Sequence, residues 1–533
     1  MDIYEKYLLD SLILNPTLND SIHIKYIDKF KHIQPNIYLN SHISKVNKLD
    51  KKYIKYLDNI KDKNKYEKIL EYDLKKQDIK IDYDLLCMNI FDNIFLEYII
   101  NSTGIYFYNF NTIKDYEDYI QRLMKLDSIT NKMIQLLKNG IKKKIIHNRI
   151  IILNTINYLK DSLNNKTYEH NKRIPNKIKK RYENSINKYL VENIKKILLF
   201  LEDKYLKYTN NDKLGLSYIK NGKSDYLIFL KLNTYQSITP KKVFDIADNE
   251  IKKCLKNLNL IKNKLKFRGT IKELHQKIVT NPEYIYNSNQ EILEDLNKIK
   301  RKIQNTIMKK YFYDYNINTE YNIKLLDKAN YGISVYYQPP IKNKKGIFYF
   351  KDKQTLNKNE LYVLSLHEGN PGHNYEHLIN KKNNVPKYIL NNYYSGYSEG
   401  WATYTETLLE SNNLYEVFYR YIYELIRIIR LYLDVGINYY KWNYTKCSEL
   451  FKKYLYVDDD FIKEEIIRYI SNPGQAVSYK IGELLIQKYK KLYLKKNLKN
   501  NNNIKDFHKL ILDIGPCPLD IFIKEMKLKG YTI

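Results

Sequence analysis

The chain has 533 residues and 44% hydrophobic content, enough for one large or two to three ordinary domains with buried cores and too apolar for a disordered protein. Its formal net charge of +31 invites a nucleic-acid reading, yet only 10 of the 91 basic residues are Arg, the residue that reads bases through bidentate contacts. The excess is Lys, spread along the chain among abundant Asn, Ile and Tyr as an A+T-rich coding sequence would leave it, so solvated Lys faces explain the charge and no specific nucleic-acid partner is expected.

Cys87, Cys254, Cys447 and Cys517 lie far apart and form neither a disulfide framework nor a Cys-based zinc site. The N-terminal residues MDIYEKYLLDSLILNPTLND lack a basic n-region and a sustained apolar h-region, and no stretch approaches the roughly 18 apolar residues of a membrane span. These features predict a reducing, cytoplasmic or other intracellular setting with no membrane partner. Oligomeric state is not legible.

In chain order, residues 1–85 read as an N-terminal helical layer or extension without chemistry, and residues 86–533 as the catalytic region. Leu85 to Ile100 is apolar enough for a buried helix. Asn111 or Thr112 caps the next helix, on which Tyr116, Tyr119, Ile120 and Leu123 recur at helical spacing. Gly140 and the basic run Lys142 to Lys144 end another. Over 178–207, Tyr182, Ile186, Tyr189, Leu190, Ile194, Ile197 and Leu201 share one face, a stripe that belongs in a core. Thr239-Pro240 reads as N-cap and first residue of a helix to about Lys266, and a further helix spans about 288–316. Without βαβ alternation or repeats, the fold is mainly α. The exception is 331–350, where Val335-Tyr336-Tyr337 and Ile347-Phe348-Tyr349-Phe350 predict a small β-hairpin. Its edge suits an extended peptide, with Tyr337 as a substrate contact. Asn359 is expected to cap the helix that follows. Helices over 395–411, 414–446, 460–470 and from Asn472-Pro473-Gly474 to about Lys491 come next, with two short ones split at Gly515-Pro516.

Chemistry concentrates in LYVLSLHEGNPGHNYEH, residues 361–377, which holds three of the chain's 10 histidines. Neutral imidazole is the commonest zinc ligand, and a neighbouring carboxylate can take a proton from water at the metal. Two registers compete. His367 and His373 stand six apart, about 120° out of phase on an unbroken helix, unless a kink or bulge at Pro371-Gly372 brings them together. His373 and His377 form an HxxEH array with Glu376, the inverted zinc motif, at regular i, i+4 spacing. A third ligand is expected from Glu399, with Glu406 two turns further along the same face to orient a ligand histidine. Arg468, Gln475, Tyr479 and Lys480 are candidates to bind substrate or stabilise an oxyanion.

At HEGNPGH the sequence resembles the domain-of-unknown-function 885 family, whose hallmark is HExxPGHxxQ followed by EGWAxYxE. Here these read His367-Glu368-Gly369-Asn370-Pro371-Gly372-His373-Asn374-Tyr375-Glu376 and Glu399-Gly400-Trp401-Ala402-Thr403-Tyr404-Thr405-Glu406. A third segment, RY…PGQAxxYKIG, appears as Arg468-Tyr469 and Pro473 to Gly482, and weaker echoes extend the resemblance over about 90–525. The resemblance implies a large helical fold similar to the gluzincin peptidases of the neurolysin and angiotensin-converting-enzyme type. It implies His367, His373 and Glu399 as ligands of Zn2+, Glu368 as general base and Tyr479 as donor to the tetrahedral intermediate. It thereby selects His367 with His373. The family's Gln falls at Glu376, and His377 is extra, so these two sit at or near the site without an assigned role. The function expected is a zinc metallopeptidase acting on short peptides. The alternatives are a zinc-bound peptide-binding pseudo-enzyme and a zinc hydrolase of a non-peptide amide.

Overall fold

The structure is a computed structural model that describes residues 1–14, 40–75, 110–166, 173–314, 320–326, 335–340, 345–352, 356–497 and 503–532. The predicted helix Leu85 to Ile100 lies outside the described residues. The chain divides into two units: residues 1–225 with 386–391 and 470–472, and residues 226–385 with 392–469 and 473–533.

In the first unit, Ile3–Leu14, Asn40–Asp58 and Lys65–Lys75 are helices. Tyr7 joins the first two, its ring 5.1 Å from that of Tyr53 and its hydroxyl donating to Asp50 at 2.8 Å. Thr112, not Asn111, caps Ile113–Met124, in a capping box with Asp115 that satisfies two of the helix's orphan amides. Leu126–Lys143 ends at Lys144, which adopts the left-handed conformation with φ 59°; Gly140 is buried inside the helix and does not terminate it. The long stripe over 178–207 is core as expected: Tyr182, Ile186, Leu190, Ile194, Ile197 and Leu201 are all buried. The helix bearing it is interrupted by π-helical stretches at Ile186–Val191 and Leu201–Tyr205.

The second unit is organised around the Leu361–Glu368 helix, whose eight residues are all buried. Such a helix has no solvent face, which is why its sequence is an apolar run and shows no amphipathic stripe. Beneath it lies a three-stranded sheet. Val335–Gln338 pairs antiparallel with Ile347–Phe350, Tyr337 opposite Phe348, as the hairpin expectation requires. Asn322–Leu325, which has no β-like pattern, adds a parallel strand on the other side. Phe348 and Phe350 point inward and share a core with Leu361, Leu364, Ile292 and Leu296. Each buried ring contributes about 1.5–3 kcal/mol, so the sheet is the floor that holds the helix in place.

Thr239 and Pro240 open the Pro240–Lys264 helix as expected, and the 288–316 segment is Asn289–Ile303 followed by short π and α pieces. Two expectations fail. Asn359 does not cap Leu361–Glu368; Glu360 precedes that helix and accepts from the Asn357 amide at 2.6 Å. The helix expected over 414–446 stops at Asn438, and Tyr444–Tyr454 is separate. The reason is Trp442, which folds back so that its amide reaches the Gly436 carbonyl at 2.9 Å and its ring occupies the space a side chain at 436 would need. Ser395–Glu406, Asp459–Ser471 and Gln475–Lys496 complete the frame. Asn503–Ile514 and Leu519–Leu528 are the two helices split at Gly515-Pro516.

Candidate metal centre

The Leu361–Glu368 helix ends one residue after His367, with the Gly369 amide reaching back to Ser365 at 3.1 Å. The chain turns through Asn370-Pro371-Gly372, the Asn370–Pro371 bond being cis, and a second helix starts at His373. The turn folds onto the helix it has just left. A Cβ at Gly372 would stand 1.8 Å from the His367 carbonyl oxygen, so glycine is required there by close approach. The six-residue spacing is therefore bridged by a break between two helices, not by a kink within one. It brings the two imidazoles to 4.9 Å between centroids at 86°.

Glu399 enters from Ser395–Glu406. Its Oε2 lies 3.4 Å from His367 Nε2 and 3.6 Å from His373 Nε2. Ligands about 2.0–2.1 Å from a tetrahedral zinc ion stand about 3.3 Å apart. The three atoms thus have the spacing of three corners of a metal site, and His367, His373 and Glu399 are the group among the described residues able to hold an ion. Glu399 Oε2 is buried without a hydrogen-bond partner. A buried carboxylate oxygen with no donor is costly unless a cation meets it. Its other oxygen accepts from the Tyr393 hydroxyl at 2.6 Å. Burial lowers the basicity of both histidines, but the surrounding carboxylates overcome it and both shift upward, His373 strongly. Burial raises Glu399, and the two imidazoles outweigh that and hold it well below the usual carboxylate range. Glu368, adjacent to His367, is 8% exposed.

A second layer fixes these groups. Glu406 Oε1 lies 2.7 Å from His367 Nδ1 and also accepts from Arg427 Nη2. Arg427 Nε donates to Thr403 at 3.3 Å. Glu376 Oε2 stands 3.9 Å from His373 Nδ1, and its Oε1 accepts from Ser398 at 3.0 Å. Trp401 Nε1 donates to the Pro371 carbonyl at 2.9 Å and Thr405 to the Leu366 carbonyl at 2.8 Å, clamping both sides of the turn. Gly396 and Gly400 lie against Gly482 of Gln475–Lys496 so closely that a Cβ at 482 would be 2.1 Å from the Gly396 oxygen. The EGWATYTE segment thus supplies a candidate metal ligand, a glycine contact, a clamp and a histidine-orienting carboxylate from one helix.

Tyr479, on the helix packed against this one, lies nearly parallel to His367 with centroids 6.3 Å apart. Its hydroxyl accepts from Arg468 Nη2 at 2.6 Å, and the same nitrogen donates to Gln475 Oε1 at 2.9 Å. Burial raises Tyr479, opposed by Arg468. Lys480 is elsewhere, in a buried ion cluster with Glu424 at 2.8 Å and Glu483 at 2.9 Å. His377 is half-buried and is not one of the three converging ligands. Tyr337 donates to Asn374 at 2.9 Å, one residue from His373. Sequence reasoning missed Tyr393 and Arg427. One tyrosine among 55 carries no signal, but an arginine among 10 in a Lys-rich chain does, and Arg427 and Arg430 both fall near the site.

The fold and site define a mainly helical protein with a largely buried His-His-Glu cluster that could hold a metal ion. The chain belongs to the bacterial family of unknown function DUF885, over residues 40–526. No curated protein matches the sequence. Among solved structures it is similar to a candidate lipoprotein from Colwellia psychrerythraea, at TM-score 0.86 and 18% identity over 99% of this chain and 98% of that one. It is also similar to a candidate lipoprotein of unknown function from Shewanella oneidensis, at TM-score 0.75 and 15% identity over 99% of each chain. At these identities the likeness establishes the fold. The names of both neighbours point to lipid-anchored proteins and overturn the cytoplasmic expectation, which rested on the scattered cysteines and on the lack of signal-peptide and membrane-span patterns in the sequence. No helix among the described residues is long and apolar enough to cross a membrane.

Proposed function

We propose that this protein is a zinc-dependent peptidase acting on short peptides. The observation that carries the reading is the convergence of His367 Nε2, His373 Nε2 and an undonated Glu399 Oε2, with the carboxylate of Glu368 adjoining. Two imidazoles and a carboxylate are a ligand set of catalytic zinc, which supplies Lewis acidity at a carbonyl and acidifies water when bound.

The chain's own residues do the rest. Glu368 takes the proton of the attacking water and returns it to the leaving amine. Tyr479 accepts from Arg468, so its own proton is free to be donated to the oxygen on which charge develops. Glu406 holds the His367 imidazole, Glu376 places its charge beside His373, and Tyr393 holds Glu399 so that one oxygen faces the ligand cluster. The burial of His367, Glu368 and Glu399, each at most 8% exposed, favours thin, unfolded substrates over folded proteins.

Zinc content and peptide cleavage in wild type and Glu368→Gln test the reading. The variant is expected to keep its zinc and lose at least about 100-fold in kcat; unchanged cleavage sinks the role of Glu368. Zinc retained by His367→Ala but lost by His377→Ala would replace this ligand set with the inverted one.

A further inference from the structure

Four arginines lie in and around the site, and three have a carboxylate. Arg420 meets Glu424 at 2.8 Å, Arg427 meets Glu406, and Arg430 grips Glu465 through two nitrogens at 3.0 and 2.9 Å. Arg468 differs. Its Nη2 donates to two neutral acceptors, Gln475 Oε1 and Tyr479 Oη, and among the described residues no carboxylate stands within ion-pair distance of it. Nε and Nη1 make no hydrogen bond there. Glu465 and Glu399 act on this half-buried guanidinium only through space, so its planar fork, which matches a carboxylate, has no direct carboxylate partner.

The group is also held rigidly. Gln475 is tethered by donating to Ser395 at 3.2 Å, and Ser395 is within 2.6 Å of Ser478. Tyr479 is packed beneath the guanidinium carbons of Arg430 and Arg468, at 5.0 and 5.2 Å from its ring centre. One edge of Arg468 is committed to positioning and the rest is available. Its distance from the ring of His367 is at most the sum of that 5.2 Å and the 6.3 Å between the two rings. An extended peptide advances about 3.3–3.6 Å per residue. A metal ion at one end and a carboxylate at the other take up part of the gap, leaving room for no more than one or two residues.

We infer that Arg468 anchors a carboxylate of the substrate, and that the bond hydrolysed lies one or two residues before a free C-terminus. The protein is then a peptidase that trims short C-terminal pieces. The cleavage rests on the peptidase reading above; the binding of the carboxylate does not.

Two measurements keep these apart. In the first, metal-free protein is titrated calorimetrically with N-acetyl-alanyl-alanine and with its C-terminal amide. The acid is expected to bind about 10- to 100-fold more tightly, the range of a charge-assisted hydrogen bond. Arg468→Gln is expected to bring the ratio close to one, with Arg468→Lys between. A thermal melt checks that each variant is folded. Equal binding of acid and amide by wild type overturns the inference, as does an Arg468→Gln variant that weakens both alike, because Arg468 would then serve Tyr479 alone.

In the second, zinc-loaded protein is given the free acid of a hexapeptide, its amide, and an amide ending in Glu, with products read by mass spectrometry. Preferential loss of one or two residues from the free acid supports the inference. Equal cleavage of the Glu-ended amide moves the anchored carboxylate to a side chain and overturns the C-terminal assignment. Acid binding through Arg468 with no cleavage of any peptide refutes the peptidase reading and leaves the anion site standing.

Discussion

Glu406 does two jobs that can be separated. Its Oε1 orients His367 from 2.7 Å and is the counter-charge of Arg427, with side chains only 3% and 6% exposed for Glu406 and Arg427. Glu406→Gln keeps the shape and one acceptor but removes the charge. Stranding one member of a buried pair costs about 3–5 kcal/mol, and the retained amide oxygen puts the expected loss at the lower end, about 3 kcal/mol. Loss of an outer partner of a ligand histidine weakens metal binding by about 10–100-fold. Glu406→Gln with Arg427→Met removes the stranded cation, so stability should largely return while zinc affinity stays low. Urea unfolding of metal-free protein measures the first quantity, and competition with a chromophoric chelator measures the second. Zinc affinity unchanged to within about threefold in Glu406→Gln would mean that His367 is not a ligand oriented through Nδ1, and the metal assignment would fall with it.

Other perturbations probe different parts of the site. Gly482→Ala places a Cβ 2.1 Å from the Gly396 oxygen and 2.7 Å from Gly400 Cα; it should cost about 1–3 kcal/mol or more by overpacking, seen as a lower urea midpoint. Tyr393→Phe removes the donor to Glu399 Oε1, so zinc affinity should drop by about 10-fold. Because Tyr393 as a whole is 61% exposed, the melting temperature of metal-free protein should hardly change. His508 is pushed down by burial from 6.5 to about 3. The unfolded chain therefore takes up a proton below pH 6.5 that the folded chain refuses until near 3, and stability is lost as pH falls through that window. His508→Gln should remove about one proton, or about 1.4 kcal/mol per pH unit, from the slope of unfolding free energy against pH. An unchanged slope would place the acid sensitivity elsewhere.

Much of this was legible before the structure. Helix identity and the core stripe over 178–207 follow from apolar periodicity, and Thr112 and Thr239 show their caps in side-chain chemistry alone. The candidate ligand segments announce themselves because His and Glu are dense there and Pro371-Gly372 marks a break between the first two histidines. What stayed hidden depends on tertiary context. Asn322–Leu325 becomes a strand only because Ile347–Phe350 offers it an edge. The break after Asn438 comes from a Trp442 ring returning along the chain, which no local propensity encodes. Tyr393 was lost in composition, and Lys480 was grouped with Gln475 and Tyr479 because the three stand together in the sequence. Its position on the helix turns it instead toward Glu424 and Glu483.

The glycine contact between Ser395–Glu406 and Gln475–Lys496 also acts as a ruler. One helix carries Glu399 and the other carries Tyr479, and at 396, 400 and 482 they meet backbone to backbone. Side chains between helices can change rotamer and let the spacing breathe; backbone in contact has no such freedom. The separation between the helices that carry Glu399 and Tyr479 is thus set by main-chain geometry, insulated from rearrangement of the side chains around them. In the proposed peptidase, a substrate would have to fit that fixed gauge.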